Sequence, residues 1–415
     1  MKQRKEADTT GPDKAGAAPP RLRVSASGLS RSAIIIGFVS LFADISTEMI
    51  YPLVPIFLTE VLNAPKAAVG LIEGIAVGTA LIVTSFSGII SDRIGRRKPV
   101  AFAGYALTAL SRPMIAAAGS WTVVLAARFA DRFGKGIRSA PKDALLAETA
   151  SIEMRGRAYG FERMMDYAGA VVGPLIGLAL LGWLGNQRMT TIFFISTIPA
   201  SVAALLILTL SEQRSDAVRG AQSIRLSLAG TTREYRRLLM VAGVFGLANS
   251  ANAFLILRAG NLGLSAQRTI LAYTLYNAVA SLFSIPAGAA SDRFGRRNLL
   301  IIGYAIYAVS YAGFGLANAA WMVWPLFALY GLFPAMTDGV AKAMAVDTAG
   351  SAGRATALGI YSAVAGVTQV AASYIGGVLW DKVNAQATFY FGVVLSAAAV
   401  VLLLMLLPPS VEKTG

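Results

Sequence analysis

Two stretches of the sequence repeat each other, GIISDRIGRR at residues 88–97 and GAASDRFGRR at residues 288–297. Both follow the pattern G-x-x-x-D-R-x-G-R-R, and both come directly after a long apolar run. Weaker matches keep nearly the same offset along the chain, namely Glu148 with Asp347, Arg155 with Arg354, Gly160 with Gly359 and Gly177 with Gly376. A repeat that stays in register over this distance predicts two similar halves.

Apolar segments surround both copies, and each is long enough to cross a bilayer, which takes about 20 residues in a helix. The predicted crossings are 33–60, 67–90, 98–118, 121–147, 157–183, 189–210, 238–258, 266–289, 298–318, 320–346, 355–380 and 387–408. The motif copies then fall in the turns after the second and the eighth crossing. The predicted fold class is an all-α integral membrane protein, with twelve transmembrane helices in two pseudo-symmetric six-helix bundles.

The two predicted bundles occupy residues 33–210 and 238–409. Residues 1–32 are polar and basic and lack the compact apolar segment of a signal peptide, so we predict a disordered cytoplasmic tail. Residues 211–237 are predicted to link the bundles on the cytoplasmic side, and residues 410–415 to form a cytoplasmic C-terminus.

The composition restricts the function. Only 14% of the 415 residues are charged and 55% are hydrophobic, whereas a soluble domain has about 25% charged residues. This excludes a soluble enzyme or a nucleic-acid-binding protein despite the formal net charge of +15, because the cations lie in short breaks between apolar runs and not on one solvated face. Cys and His are absent, so we predict no metal site, no cofactor and no enzymatic activity.

The distribution of Lys and Arg predicts the orientation, because these residues are retained on the cytoplasmic side of a bacterial inner membrane. With the N-terminus inside, basic clusters such as 93–98, 214–237 and 293–297 are cytoplasmic. The other side has only Lys66, Arg188, Arg258, Arg268 and Lys382. Both termini are therefore predicted to be cytoplasmic. We also predict that the protein lies in the lipid bilayer and that it functions as a monomer.

The doubled motif, its place in the topology and the long basic middle loop resemble the major facilitator superfamily of secondary transporters. Two further segments are similar to the 12-helix drug/proton antiporters of that superfamily. Residues 132–140 resemble the fourth-helix pattern R-x-x-Q-G-x-x-x-A, with Lys135 in place of Gln. Residues 169–177 resemble the fifth-helix antiporter motif, from which the chain departs at Leu178.

The resemblance implies that both motif copies form a cytoplasmic gate. The gate residues are Gly88, Asp92, Arg93, Gly95, Arg96 and Arg97 in the first copy and Gly288, Asp292, Arg293, Gly295, Arg296 and Arg297 in the second. The glycines permit a sharp turn and a close helix approach, and Asp92 can pair with a cation or a helix N-terminus across the seam. Positive-inside anchoring alone would explain the arginines but not Asp92 or the glycines.

Ionisable side chains inside a membrane are costly, so they face a bundle interior or a wet cavity. The fourth crossing is dense with them, and at 100° per residue they share one face about 140° wide. They are Arg128, Asp131, Arg132, Lys135, Arg138, Lys142 and Asp143. We predict that this face lines the central pathway or its cytoplasmic mouth, with compensating carboxylates from the first and fifth crossings. A purely structural network of ion pairs is the alternative.

Pairs of carboxylates lie four residues apart, and thus on one helix face, in both of those crossings. They are Asp44 and Glu48 in the first crossing, followed by Tyr51 on the same stripe, and Glu162 and Asp166 in the fifth. Two close carboxylates repel each other, which favours a proton on one of them, so Asp44 or Glu48 is hypothesised to exchange protons during transport. In the second half of the chain, the candidate polar residues of the substrate and proton pathway are Tyr276, Asn277 and Gln369.

A ladder of small residues on one side of the fifth crossing predicts tight helix packing, and its members are Gly169, Gly173 and Gly177, with Pro174 as a kink. The resemblance implies that this contact seals the pathway in antiporters.

The predicted function is secondary active transport of a small organic solute by alternating access, as proton-coupled efflux. The alternative is proton-coupled transport of an organic anion that carries a phosphate or carboxylate, because the fourth-crossing face has more cations than carboxylates. A membrane-embedded enzyme and a receptor are more distant alternatives, and neither would give a solute-driven proton flux.

Overall fold

The computed structural model describes residues 30–94, 96–149, 155–210, 228, 230–350 and 354–407. Its α-helices are α1 (Arg31–Ile50), α2 (Leu53–Ile56), α3 (Lys66–Ile94), α4 (Arg97–Ala116), α5 (Trp121–Thr149), α6 (Arg155–Leu184), α7 (Met189–Ile195), α8 (Thr197–Leu208), α9 (Arg233–Ala248), α10 (Ala253–Asn261), α11 (Ala266–Phe294), α12 (Arg296–Leu316), α13 (Val323–Asp347), α14 (Arg354–Lys382) and α15 (Ala385–Leu406). Most of the predicted tail (1–32) and linker (211–237), and the C-terminus at 410–415, lie outside the described residues.

The helices follow the predicted crossings closely, and the first crossing is interrupted at Pro52. Helix α1 begins after Ser30, whose hydroxyl oxygen accepts a hydrogen bond from the backbone N–H of Ala33. It ends at Ile50, and Tyr51 and Pro52 form a turn before α2, because proline has no backbone N–H to donate to a helix. A π-helical turn, Phe57–Val61, completes this crossing. Helix α6 continues through Pro174.

The helices form two groups, which we call the first group (α1–α8) and the second group (α9–α15). Helices within each group pack extensively on one another, as α1 does on α6, α4 on α5 and α12 on α15. Between the groups the main contacts are α3 with α14 and α6 with α11. These two contacts are the seams along which the groups meet.

Within the described residues, ten helical segments are long and apolar enough to cross a membrane. They correspond to ten of the twelve predicted crossings. The segments predicted as the other two, 98–118 and 121–147, form the helices α4 and α5, which are not among the ten. Helix α5 carries the dense set of charges, and its exposed face holds Phe129 and Phe133. Its charged residues Arg128, Asp131 and Arg138 are buried in the protein, whereas Phe129 and Phe133 point away from it.

The arrangement has two distinct ends. One end carries the turn before α4 and the turn before α12, with Arg96, Arg97, Arg296 and Arg297, and we call it the arginine-rich end. The other end, which we call the opposite end, includes the start of α3 at Lys66. In the second arginine turn, Gly295 has φ of 85°, a backbone conformation that favours glycine.

Candidate functional site

A cavity of about 370 Å³ lies between the two groups, within the range of small-molecule sites, which is about 300–1,000 Å³. Its ionisable lining residues are Asp44, Tyr105, Lys135, Arg138, Lys142, Asp143, Glu162, Arg163, Asp166 and Lys342. A larger cavity of about 670 Å³ shares Asp44, Arg163, Asp166 and Lys342 with it, and reaches Arg296 at the start of α12. The cavities therefore extend to the arginine-rich end.

Two carboxyl groups from different helices lie in the wall of this cavity. Asp44 on α1 and Asp166 on α6 both line it, and their side chains are close enough to interact electrostatically. Two carboxyl groups can share a hydrogen bond only if one of them carries a proton. Arg163 Nη1 lies 3.6 Å from Asp166 Oδ2 on the same helix. The predicted candidates Asp44 and Asp166, taken from separate pairs in the sequence, thus form one pair in space.

Lys142 and Arg138, near the arginine-rich end of α5, have fixed partners. Lys142 forms an ion pair with Glu162 of α6, and Ser40 Oγ donates a hydrogen bond of 2.7 Å to the same carboxylate. The Arg138 guanidinium lies over the ring of Tyr105, with Cζ 4.1 Å from the ring centroid. These contacts join α5 to α1, α4 and α6.

Arg128, deeper along α5, is also paired, but with a partner that sequence reasoning missed. Arg128 is fully buried and donates to Glu73 of α3, with distances of 2.7 Å from Nη2 to both carboxylate oxygens and 3.1 Å from Nε. Such a bidentate pair matches the fork of a guanidinium to a carboxylate. The sequence predicted carboxylates from the first and fifth crossings for this role, and the structure supplies one from the second.

Asp131 is held by arginines from two helices. Arg112 of α4 lies 3.3 Å from Asp131 Oδ1 and also donates to the hydroxyls of Ser46 and Thr47 on α1, over 3.1 and 3.0 Å. On α5, Arg132 Nε lies 3.7 Å from Asp131 Oδ2. Because Arg112 is fully buried, this network fixes α1, α4 and α5 to one another.

Glu48 and Tyr51 of α1 lie at the contact between the groups. Tyr273 of α11 donates a 3.0 Å hydrogen bond to Glu48 Oε2, and its ring stacks on Tyr51 with centroids 5.3 Å apart. Farther along α11, Asn277 Nδ2 donates to the carbonyl oxygen of Ala170 over 3.3 Å. Asp44 and Glu48 therefore have different surroundings, since one faces Asp166 and the other a tyrosine of the second group.

The predicted glycine ladder of α6 packs against α1. A Cβ atom at Gly169 would lie 2.8 Å from the carbonyl oxygen of Leu41, and one at Gly173 would lie 2.9 Å from Cβ of Glu48. At Gly177 it would meet the backbone of Met49. The ladder therefore sets how closely α6 approaches the helix that carries the candidate carboxylates.

The second group contributes an aromatic cavity of about 280 Å³. Its wall contains Phe245, Tyr304, Phe333 and Tyr361 together with the predicted Gln369. The rings of Phe245 and Tyr304 stack with centroids 3.7 Å apart. The predicted Tyr276 belongs to a neighbouring tyrosine row, where its ring lies between those of Tyr273 and Tyr330. Charge thus predominates on one side of the pathway and aromatic surface on the other.

The opposite end is closed by the seam between α3 and α14. The Asp381 carboxylate accepts hydrogen bonds from the backbone N–H groups of Lys66 (3.1 Å) and Ala67 (2.8 Å), at the start of α3. Farther along this seam, glycines allow the two helices to approach closely. At Gly74, for example, an added Cβ would lie only 3.0 Å from Val370 Cα. The two backbones are in direct contact there.

The two arginine turns make similar contacts inside their own groups. Arg97 pairs with Glu148 at the end of α5, and Arg296 pairs with Asp347 at the end of α13. The predicted Arg96 is exposed, Arg293 lies over the ring of Phe294, and Arg297 donates to the carbonyl of Leu404 over 3.0 Å. The space around Gly288 is open, so it makes no close helix contact. Gly95, the surroundings of Gly88 and the side chains of Asp92, Arg93 and Asp292 lie outside the described part of the chain.

The family model of the Major Facilitator Superfamily matches residues 36–258 and again residues 238–415. This chain belongs to that superfamily. An uncharacterized MFS-type transporter of Methanocaldococcus jannaschii is 31% identical over 374 residues, which cover 89% of this chain and 93% of that protein. The multidrug resistance protein MdtH of Photorhabdus laumondii is 31% identical over 144 residues, or 35% of this chain and 36% of that protein.

A crystal structure of a mutant of the nucleoside transporter NupG superposes with a TM-score of 0.75 at 13% identity, covering 90% of this chain and 98% of that one. At that identity the likeness shows the fold alone. As a member of the Major Facilitator Superfamily, the protein is a multi-pass membrane transporter and not an enzyme. Among the described residues, no three Asp or Glu side chains are grouped so that they could hold a metal ion.

Two ionisable residues of this major facilitator that matter for its charge network, Glu73 and Arg112, were not among the predicted site residues. Glu73 is the only charged residue of its predicted crossing, and the crossing of Arg112 has just one other, Lys98, at its edge. Sequence reasoning could have identified both residues, because burying an isolated charge in a crossing is costly and requires a partner on another helix.

Proposed function

We propose that this transporter exports a small organic solute in exchange for protons, with the arginine-rich end and both termini on the cytoplasmic face of the cell inner membrane. The observation that carries the proposal is the pair of facing carboxyl groups, Asp44 and Asp166, in the cavity wall. This pair retains one proton while the cavity is open and empty, and releases it when the solute binds beside it. The partial similarity to MdtH, which is named for multidrug resistance, supports export.

In this proposal the protein has twelve crossings, with α4 and α5 completing the set, and the two groups are six-helix bundles that rock about a central site. The cavities reach the arginine-rich end, so the described arrangement corresponds to an inward-open state. The outward-open state requires that Asp381 separate from Lys66 and Ala67, and that Tyr273 separate from Glu48. The repeated arginine motifs then form the cytoplasmic gate, with Asp92 and Asp292 as its acidic members.

Glu48 can link proton binding to this movement. An ionised carboxylate accepts a hydrogen bond from Tyr273 more strongly than a neutral carboxyl group does, by about 1 kcal/mol. Protonation of Glu48 therefore weakens a contact between the groups and favours opening at the opposite end. The buried pairs Glu73–Arg128 and Arg112–Asp131 act as structural ties, which leaves Asp44, Glu48 and Asp166 as the proposed proton pathway.

The second candidate function is proton-coupled transport of an organic anion. Most cations of the α5 face have close partners in the structure, but Lys135 has no ion pair or side-chain hydrogen bond among the described residues. Its positive charge is available to a carboxylate or a phosphate.

The test is solute-driven proton flux in proteoliposomes that contain the purified protein and a pH-sensitive dye inside. Cationic drugs, sugars and organic anions are applied in turn under an imposed pH gradient. Asp44→Asn and Asp166→Asn should each lower the flux at least about tenfold, as expected for general acid–base groups. Glu60→Gln is the matched control, since Glu60 is exposed in the π-helical turn. Normal transport by both Asn variants, with unaltered pH dependence, would sink the proposal.

A further inference from the structure

We propose that Lys135 and Lys342 together bind the carboxylate of an aromatic organic acid, so that aromatic carboxylates are the substrate class of this transporter. The inference rests on the proposed transport function and deepens its second candidate. Each lysine belongs to a different helix group, Lys135 to α5 and Lys342 to α13, and both line the 370 Å³ cavity. Lys342 also lines the other two cavities, so it lies where all three meet.

These two lysines differ from the other cations of the cavities. Lys142 is paired with Glu162, Arg163 with Asp166 and Arg296 with Asp347, while Arg138 covers a tyrosine ring. Lys135 and Lys342 have no ion pair, side-chain hydrogen bond or ring contact with any described residue. An ammonium group has three N–H donors and no acceptor, so both lysines can donate to a ligand without losing a partner.

Carboxylates lie near both lysines but do not contact them. Lys135 interacts electrostatically with Glu48 and Asp166, and Lys342 with Asp338, in each case beyond the 4.0 Å limit of an ion pair. These charges reduce the cost of placing two cations inside a membrane protein. They also keep the net positive charge of the site small, which suits a monoanion such as a carboxylate better than a doubly charged phosphate.

The aromatic part of the proposed ligand follows from the neighbouring cavity. Lys342 and Leu81 line both the charged cavity and the 280 Å³ aromatic cavity. The wall there includes Phe245, Tyr304 and Tyr361, whose rings can pack against a flat ring. A carboxylate between the two lysines therefore places an attached aromatic ring against this wall.

The sequence independently marks one of the two positions. Lys135 is the residue at which the chain departs from the fourth-helix pattern, where the similar antiporters have Gln. Here a cation stands in place of that neutral amide, on the face that lines the cavity. No described side chain forms an ion pair with it.

The experiment is isothermal titration calorimetry on the full-length protein in lipid nanodiscs at pH 7, in phosphate-free buffer. The probes are benzoate, 3-phenylpropionate and 2-naphthoate, each compared with its uncharged amide and with the ammonium compound of the same carbon skeleton. At least one acid should bind at least tenfold more tightly than its amide. Lys135→Gln and Lys342→Gln should each weaken that acid about 10- to 100-fold, the usual effect of a charged hydrogen bond, and should leave amide binding unchanged.

Lys382→Gln, at the last residue of α14, is the matched control and should bind the acid normally. Lys135→Arg and Lys342→Arg should retain part of the preference for the acid, which separates loss of charge from misfolding. The proposal is overturned if no acid exceeds its amide, if the ammonium compounds bind best, or if both Gln variants bind the acid like the parent. Acid binding without acid-driven proton flux would refute the proposed function alone, whereas proton flux driven only by cations or sugars would refute this inference alone.

Discussion

A methyl group placed in the closed seam tests whether the two groups separate at the opposite end. Gly377 of α14 faces the start of α3, and a Cβ atom there would lie 2.6 Å from Ala67 Cα and 2.8 Å from Ala67 N. The carbonyl oxygen of Lys66 would lie closer still. Ordinary contact begins at 3.4 Å, so Gly377→Ala requires the two helices to move apart by at least about 0.8 Å. All three clashing atoms belong to the backbone of α3 and cannot turn away.

The expected magnitude follows from the cost of overpacking, about 1–3 kcal/mol. The same movement lengthens the hydrogen bonds from Lys66 and Ala67 to Asp381. If the seam has two states, the closed state should lose population by a factor of about 5 to 150 relative to the open state. The variant should therefore populate a state open at the opposite end without any change of charge.

The chain contains no cysteine, so two introduced cysteines can be labelled without background. We would place spin labels through Glu60→Cys and Val383→Cys, which lie at exposed positions of the opposite end, one in each group. Electron–electron double resonance should show a longer distance distribution in Gly377→Ala than in the parent. Gly182→Ala, where nothing lies within 4 Å of the added carbon, should change nothing. An unchanged distribution in Gly377→Ala would refute the idea that this seam opens.

Two further predictions concern the first group. Glu73→Gln should lower the free energy of unfolding by about 3 kcal/mol, because it removes the carboxylate from a buried pair with Arg128. Tryptophan fluorescence during heating should then show a lower melting temperature than for the control variant Glu60→Gln. Gly173→Leu should abolish transport in vesicles while the protein still reaches the membrane. The Cβ atom of the leucine alone would lie 2.9 Å from Cβ of Glu48 and 3.0 Å from the carbonyl oxygen of Ile45, and Gly182→Leu is the control. An unaltered melting temperature in the first case, or normal transport in the second, would contradict the packing described above.

Ten helical segments could be predicted from the sequence because each is a long apolar run, and the length of such a run is fixed by the bilayer. The break at Pro52 and the turn at Gly295 were also predictable, since both depend on the chemistry of one residue. Helix α5 could be placed as an inward-facing charged helix because its charges share one face. These features depend on local sequence alone.

Lys142 pairs with Glu162 of the fifth crossing, as the sequence predicted, but the partners of the deeper charges could not be predicted in the same way. The sequence offered paired carboxylates in the first and fifth crossings, but α5 packs against α3 and α4, so Arg128 meets Glu73 and Asp131 meets Arg112. Asp44 and Asp166 come together because α1 packs along α6. Which helices are neighbours is decided by the packing of whole faces, and no residue-by-residue pattern in a single sequence records it.

The glycine contacts between α3 and α14 have a mechanical consequence. Where one backbone contacts another directly, no side chain can change rotamer to fill a partial gap. A slight separation therefore loses the van der Waals contact, and no new contact replaces it. Such a surface has two stable positions, touching or apart, and intermediate openings are disfavoured. The movement at this end should therefore be abrupt, which would keep both ends from being open at once and limit leakage of protons through the protein.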